Sequence, residues 1–329
     1  MSPIKTVIIF LCVGILSACY YQCGRKHGIL PEVPAGAQAF SLDGRLLYSS
    51  QPDSQTVKQW EEAKRTHIAD PEDPEKLIWF GRWTAYKGDF RAAIRIYTRG
   101  IQKFPEDARF YRHRGHRYIT IREFDRAIDD FEKAVRLIAG KEDEIEPDGR
   151  PNSLNIPVST LHNNIWYHLG LACYLANDLE NALRAYREGI KASTNDDMRT
   201  ATTHWLYMTL RRMGRDVEAR EVLEPVHAEM NVIENQAYHR LCLFYKGELV
   251  LEELTGSEDS QIMNDAAAYG LANWFLYNGK MDEAVEIYES ILRGDVWASF
   301  GYIAAEADYR REFSRKLHTG GSGQQENNL

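Results

Sequence analysis

The chain has 329 residues, a formal net charge of -8 and a pI near 5.7, with 44% hydrophobic and 27% charged residues. It is long enough to bury a large core or to run as an extended array. Its acidic balance argues against a nucleic-acid partner, and its five cysteines show no CxxC or zinc spacing, so neither a disulfide framework nor a metal site is expected.

Met1 to Ala18 reads as a signal peptide. Lys5 supplies the positive end, and Val7 to Ile15 is an apolar core, shorter than the roughly 20 residues of a membrane span. Leu16-Ser17-Ala18-Cys19 comes directly after it and resembles the bacterial lipobox. That resemblance implies cleavage before Cys19 and lipidation of its sulfur, because the thiol is the nucleophile that takes the lipid. The other reading of the segment is an uncleaved anchor helix. Residues 19–56 are then a lipidated tether rich in Pro, Gly and Ser, with Phe40 to Tyr48 apolar enough to pack on the first repeat of a helical array. Tyr20 is not the Asp that resembles an inner-membrane retention signal, which favours the outer membrane and the periplasmic face of a bacterial cell envelope.

A helical region spans 57–313. Gln55 to His67 opens it with Val57, Trp60 and Ala63 on one face. Leu77 to Pro105 then reads as two helices folded back on each other, with Gly88 and Asp89 at the turn. The pattern returns after 34 residues, Gly81 with Gly115, Ala93 with Ala127, Tyr97 with Phe131 and Gly100 with Ala134, and such a period is the mark of a stacked helical solenoid. Residues 140–162 interrupt it as an insertion, acidic first and then carrying Pro151 and Pro157, expected to project from one end of the stack. Trp166, Leu169, Gly170, Ala182, Tyr186 and Gly189 resume the pattern. A weaker repeat runs through Leu206, Tyr207, Gly214 and Ala219, shortened near Pro225. Ala237 to Leu254 is a helix outside the period, and Gly279, Ala284, Tyr288 and Ile291 mark the second half of a fifth repeat. Trp297 to Phe313 should be a capping helix with Asp308, Arg310, Arg311 and Glu312 toward solvent, and 314–329 a disordered tail.

These residues resemble the tetratricopeptide repeat, with small residues at positions 8, 20 and 27 of each unit and large ones between them. Arg114, at position 7 of the second unit, departs from the pattern. The resemblance implies an all-α fold, a right-handed solenoid of about five helix-turn-helix repeats with a C-terminal capping helix. It also implies a concave groove lined by the first helix of each repeat. Mapped onto this chain, the groove positions are Arg82, Tyr86, Arg109, Arg112, His116, Asn164, Tyr167, Tyr174, His204, Tyr269, Asn273 and Tyr277. Arg forks and Tyr hydroxyls suit an acidic or C-terminal-carboxylate peptide, so a protein or peptide partner is expected there. The same side chains would equally pair with Asp and Glu of neighbouring helices. His113 and His116 lie three apart, but no third ligand at a firm spacing accompanies them. No catalytic motif and no cofactor fingerprint is found, so the expectation is a membrane-anchored scaffold of unassigned oligomeric state. An enzyme using the His/Arg cluster and a structural spacer in an envelope complex remain as rivals.

Overall fold

In the computed structural model, residues 29–255 and 265–313 are described, so the signal peptide, Cys19 and the tail 314–329 lie outside the described residues. The chain divides into residues 1–31 and 32–329, and the architecture is that of the second unit. It opens with an antiparallel hairpin, β1 (Ala37–Phe40) and β2 (Leu46–Tyr48). Helix α1 (Ser54–Ala69) comes next, and then the repeats.

The first repeat is α2 (Pro74–Tyr86) with α3 (Phe90–Lys103), the second α4 (Ala108–Thr120) with α5 (Phe124–Ile138), the third α6 (Leu161–Leu175) with α7 (Leu179–Ala192). Asp73 and Asp107 cap α2 and α4 by accepting N–H groups of the first turn, and Pro74, which has no N–H, stands where a backbone N–H would find no partner within the helix. The spaced small residues let helices meet: a Cβ at Gly81 would lie 2.4 Å from the Tyr97 ring, and one at Gly115 2.9 Å from Phe131. The 34-residue period is thus a repeated small-against-aromatic contact.

Each repeat turns through one left-handed residue: Gly88, Arg122, Asn177, Gly214 and Gly279 have φ between +63° and +87°. Glycine adopts that conformation freely. Arg122 does not, and it sits one period after Gly88; its ion pair with Glu306 holds it there.

The fourth repeat joins α8 (Asp196–Arg212) to a second helix of six residues, α9 (Asp216–Glu221), the shortening expected ahead of Pro225. Helices α10 (Gln236–Lys246) and α11 (Leu251–Thr255) lie outside the period. Helices α12 (Asp265–Tyr277) and α13 (Met281–Arg293) form the fifth repeat, and α14 (Phe300–Glu312) is the last element. The all-α solenoid of helix-turn-helix repeats is therefore the fold, fourteen helices among the described residues.

Two expectations about surfaces change. Helix α14 ends the array with Arg310 and Glu312 exposed as expected, but most of it is not the wet-sided cap that the pattern suggests. Gly301 through Asp308 are all buried, as in a helix surrounded by protein, and Asp308 is 2% exposed where the sequence pattern places it toward solvent. Phe300 packs against His116 of α4 and His168 of α6, 5.1 and 5.5 Å between ring centres, so α14 lies inside the curve of the repeats. A Cβ at Gly301 would stand 2.2 Å from the Asp265 backbone, which shows how closely α14 is seated on α12.

The insertion does not project from the end of the stack either. Ile145 pairs with Thr160 in an isolated bridge, and the loop between them crosses the concave side as a strap. Pro147 accepts from Arg82 of α2, Arg150 donates to Thr56 of α1, and Asn152 donates to Glu234 ahead of α10. A strap pinned at three separate places cannot be a freely solvated loop.

The hairpin does pack on the first repeat. Arg91 Nε donates to Gln38 O, and Ser49 Oγ to Gly88 O. It also reaches the C-terminal helix, where Leu42 N donates to Glu306, and the segment just ahead of that helix, where Trp297 Nε1 donates to Tyr48 O. The two ends of the array are thereby joined through one short ribbon.

Candidate functional site

The twelve groove residues fall into three sets. Arg82, Tyr86, Arg112, His116 and Asn164 converge on one cavity of about 150 Å3 between α2, α4, α6 and the strap. Arg109 stands apart, paired with Glu75 and Asp107 at 2.7 Å each, on the rim of a separate hollow that also includes Glu142 and Glu144. The remaining six belong to the half of the concave side that α14 and α10 occupy. Tyr174, His204, Tyr269 and Asn273 are buried. Tyr167 packs edge-on to Tyr186, and Tyr277 lies beneath the Arg211 guanidinium. A peptide running the length of an open groove therefore has no room in this conformation, because the chain's own residues already satisfy its central and C-terminal part. The alternative to peptide binding, pairing with neighbouring acids, holds at Arg109 and Arg112.

The cavity is built from α4. One turn of that helix presents Arg112, His113, His116 and Arg117 to it, while Arg82, Ala85 and Tyr86 come from α2 and Tyr97 from α3. The strap supplies Glu146, Pro147, Asp148 and Ser159 as the opposite wall. Arg112 forms a buried ion pair with Glu146 at 2.9 Å, the side chains 8% and 10% exposed. Its Nη1 lies 3.2 Å from His113 Nδ1 and 3.4 Å from His116 Nδ1. A guanidinium thus sits where a metal bridging the two imidazoles would have to be. Among the described residues, no group of three His, Cys, Asp or Glu could hold a metal ion.

Burial drives the histidines of this region toward the neutral state. His113, His116 and His168 are held well below the usual imidazole range by burial and then by surrounding arginines, although the Asn164 carbonyl opposes this at His168. His204, buried on the far side, is pushed down to about 3 by burial alone. The unfolded chain takes up protons near the ordinary pKa of about 6.5 while the folded chain does not. Stability from these four groups is complete above that pH and is lost as pH falls from it toward the folded values. Each group contributes a slope of about 1.4 kcal/mol per pH unit within that window. Thermal unfolding followed from pH 7.5 to 5 should show a steep fall below 6.5. His204→Phe, which removes one of the four groups, should make the fall shallower by about a quarter, and an unchanged slope in that variant would contradict the assignment.

Arg117 carries no mark in the sequence. It falls one residue after a groove position and has no acidic neighbour in the chain. In the fold it lines the cavity with its guanidinium 5.6 Å from the Phe90 ring centre. Burial pulls its pKa down to about 10, against the tyrosines Tyr97 and Tyr86 and with help from Arg112 and Arg82. Glu146 and Ser159 are equally unmarked, because only the path of the strap brings them to the site.

The tetratricopeptide repeat family model matches residues 85–142 and 160–197, the second and third repeats with the end of the first. Stress-induced-phosphoprotein 1 of Caenorhabditis elegans is 32% identical over 80 residues, which is 24% of this chain. The chain spans about a quarter of the length of that relative. Among solved structures, YrrB, described as a TPR protein with an unusual peptide-binding site, has a TM-score of 0.40 at 16% identity, covering 79% of this chain and 98% of that one. MamA has a TM-score of 0.35 at 18% identity, covering 70% and 95%. The repeat assignment rests on the family model and on the helix pairs themselves.

Proposed function

We propose that this chain, built from tetratricopeptide repeats, is a membrane-anchored scaffold of the bacterial cell envelope. It holds a protein partner through an acidic group that enters the strapped cavity of repeats one to three. The observation that supports this reading most is the cavity wall, where three arginines face a single carboxylate within ion-pair distance. Fixed guanidinium forks recognise planar or tetrahedral acids with directional bonds. The repeat architecture supplies the rest, since stacked helix pairs expose long surfaces suited to protein ligands. The anchor is the lipid on Cys19, and the part of the tether ahead of the hairpin spaces the repeats from the outer membrane.

A second reading is favoured by the strap itself. Ile145, Leu154 and Ile156 stand 63%, 61% and 48% exposed on it, a short run of apolar side chains on a segment already fixed in place. In that reading the protein is a structural spacer, and its contacts use the strap's outer side.

Affinity capture from membrane extract separates the two. The bait is the chain from residue 29 onward, compared with Arg82→Gln and with the double variant Leu154→Asp, Ile156→Asp. A partner lost only with Arg82→Gln supports the cavity. A partner lost only with the strap pair supports the spacer. Fatty-acid labelling of the full chain, abolished in Cys19→Ala, is the expected result for the anchor, and labelling that persists in that variant would remove it. A scaffold should leave a panel of generic hydrolase substrates untouched; turnover that disappears with Arg112 would instead support an enzyme.

A further inference from the structure

We propose that the cavity at Arg117 is a phosphate site, holding one dianionic tetrahedral oxoanion, either free inorganic phosphate or the phosphoryl group of a phosphorylated side chain on the partner. This rests on the cavity reading of the protein's function and names the acidic group that enters.

The charges of the cavity do not balance. Arg82, Arg112 and Arg117 line it together. Among the described residues, one carboxylate lies within ion-pair distance of any of the three, Glu146 on Arg112. Arg82 reaches only a carbonyl, Pro147 O at 2.6 Å, and the Tyr86 hydroxyl at 3.4 Å. Among the described residues Arg117 makes no ion pair or hydrogen bond through its side chain; its contact is the Phe90 ring. Asp148 is exposed on the rim and accepts the Arg150 backbone N–H at 3.0 Å, so water screens it. The walls therefore carry three guanidinium charges against one carboxylate within ion-pair distance, Glu146, whose charge also favours the Arg82 cation. The histidines add none, since burial keeps them neutral. Three cations against one carboxylate leave an excess of two positive charges, which a dianion would neutralise at once, where a carboxylate answers only one.

The donors also converge in a way that suits such an ion. Arg82 comes to the space from α2, and Arg112 and Arg117 come from successive turns of α4. Donors converging from several directions suit a tetrahedral oxoanion with four acceptor atoms better than a planar carboxylate with two. The cavity of about 150 Å3 has room for one tetrahedral oxoanion.

Phe90 and the strap give the site its selectivity. The aromatic face holds Arg117 in place without neutralising it. The strap closes the opposite side with the Arg112–Glu146 pair, whose Glu146 Oε2 also lacks a partner. A ligand group larger than an oxoanion with a short stem would have to displace that pair.

The test uses the purified full chain. Thermal unfolding and titration calorimetry are run with sodium phosphate, sodium acetate and sodium chloride at matched ionic strength, and with N-acetylphosphoserine amide. Phosphate should raise the melting temperature saturably, well beyond chloride or acetate, and Arg117→Met should weaken phosphate binding by roughly tenfold or more, as expected for loss of a charge-assisted hydrogen bond. Arg117→Met removes a half-buried cation that has no ion pair or side-chain hydrogen bond, so it should fold about as well as wild type without phosphate. Arg82→Met provides the same reading through a second side chain. Tighter binding of the phosphoserine probe than of phosphate identifies a partner's phosphoryl group as the ligand, and the reverse identifies the free ion. A phosphate shift no larger than that of chloride, equal shifts with acetate, or equal affinity in wild type and both variants would overturn the proposal. These readouts need no partner, so phosphate binding can fail while capture succeeds, and the converse.

Discussion

Replacing Asp308 with alanine is expected to lower the free energy of unfolding by about 3–5 kcal/mol, the usual cost of leaving a buried ion partner unanswered. Asp308 is 2% exposed. Its Oδ1 accepts from Arg212 at 2.9 Å and from Arg311 at 2.6 Å, and its Oδ2 accepts from the Tyr269 hydroxyl at 2.7 Å. Tyr174 is next in the chain of hydroxyls, 2.8 Å from Tyr269. One carboxylate therefore ties α14 to α8, α12 and α6. Burial alone would lower the pKa of Arg212, yet Asp308, Tyr174 and Tyr269 outweigh it and hold the guanidinium well above its ordinary value. In Asp308→Ala that cation loses its counter-charge in a site water does not reach. Asp308→Asn keeps the acceptor for Tyr269 and should cost less. Urea unfolding followed by circular dichroism measures both, and a loss below about 1 kcal/mol for the alanine variant would contradict the role given to this carboxylate.

Glu306→Ala should be of the same size, about 3–5 kcal/mol, and should act on a different joint. Glu306 pairs with Arg122 at 2.8 Å, with the two side chains 5% and 3% exposed. It also accepts the Leu42 backbone N–H at 2.9 Å. Arg122 in turn donates to Thr120 O at 2.6 Å and to Trp297 O at 2.9 Å. This ion pair joins the N-terminal hairpin, the turn of the second repeat and the last helix. It also accounts for an arginine at φ +67°, a conformation that costs a non-glycine residue about 1–3 kcal/mol. Arg122→Gly removes both the strain and the cation. Because replacing a buried pair as a whole is often neutral, Glu306→Leu with Arg122→Gly should recover most of what Glu306→Ala loses. Hydrogen exchange of the hairpin amides should rise in Glu306→Ala before that of α6 and α7. Uniform exchange across the chain would mean that the joint is not local.

The helix pairs are legible in the sequence because their signal is local. Gly81 facing Tyr97 and Gly115 facing Phe131 recur every 34 residues, so period and chemistry declare the same contact twice. The shortened α9 is likewise written in Pro225. The candidate site is half legible. Arg82, Tyr86, Arg112, His116 and Asn164 stand at groove positions and do meet at one cavity. Arg117 and Glu146 are not visible, because nothing in the residues around them indicates that they share a wall. The burial of Tyr174, His204 and Tyr269 is equally hidden, since a repeat motif describes how neighbouring helices pack and says nothing about what enters the curve they make.

Length, period and composition by themselves determined an all-α array of paired helices, its turns, the interruption at 140–162 and the change of register after the fourth repeat. Each of these comes from contacts between residues close in the chain. Tertiary structure alone decided that the curve is filled by α14, crossed by the strap and closed at its edge by the hairpin. Those joints pair Leu42 with Glu306, Arg122 with Glu306, and Arg212 with Asp308. The partners lie far apart in sequence, and a single charge on a surface-like helix pattern looks the same whether it meets water or an opposite charge. Only the path of the chain brings each to a counter-charge, and only that path leaves Arg117 without one.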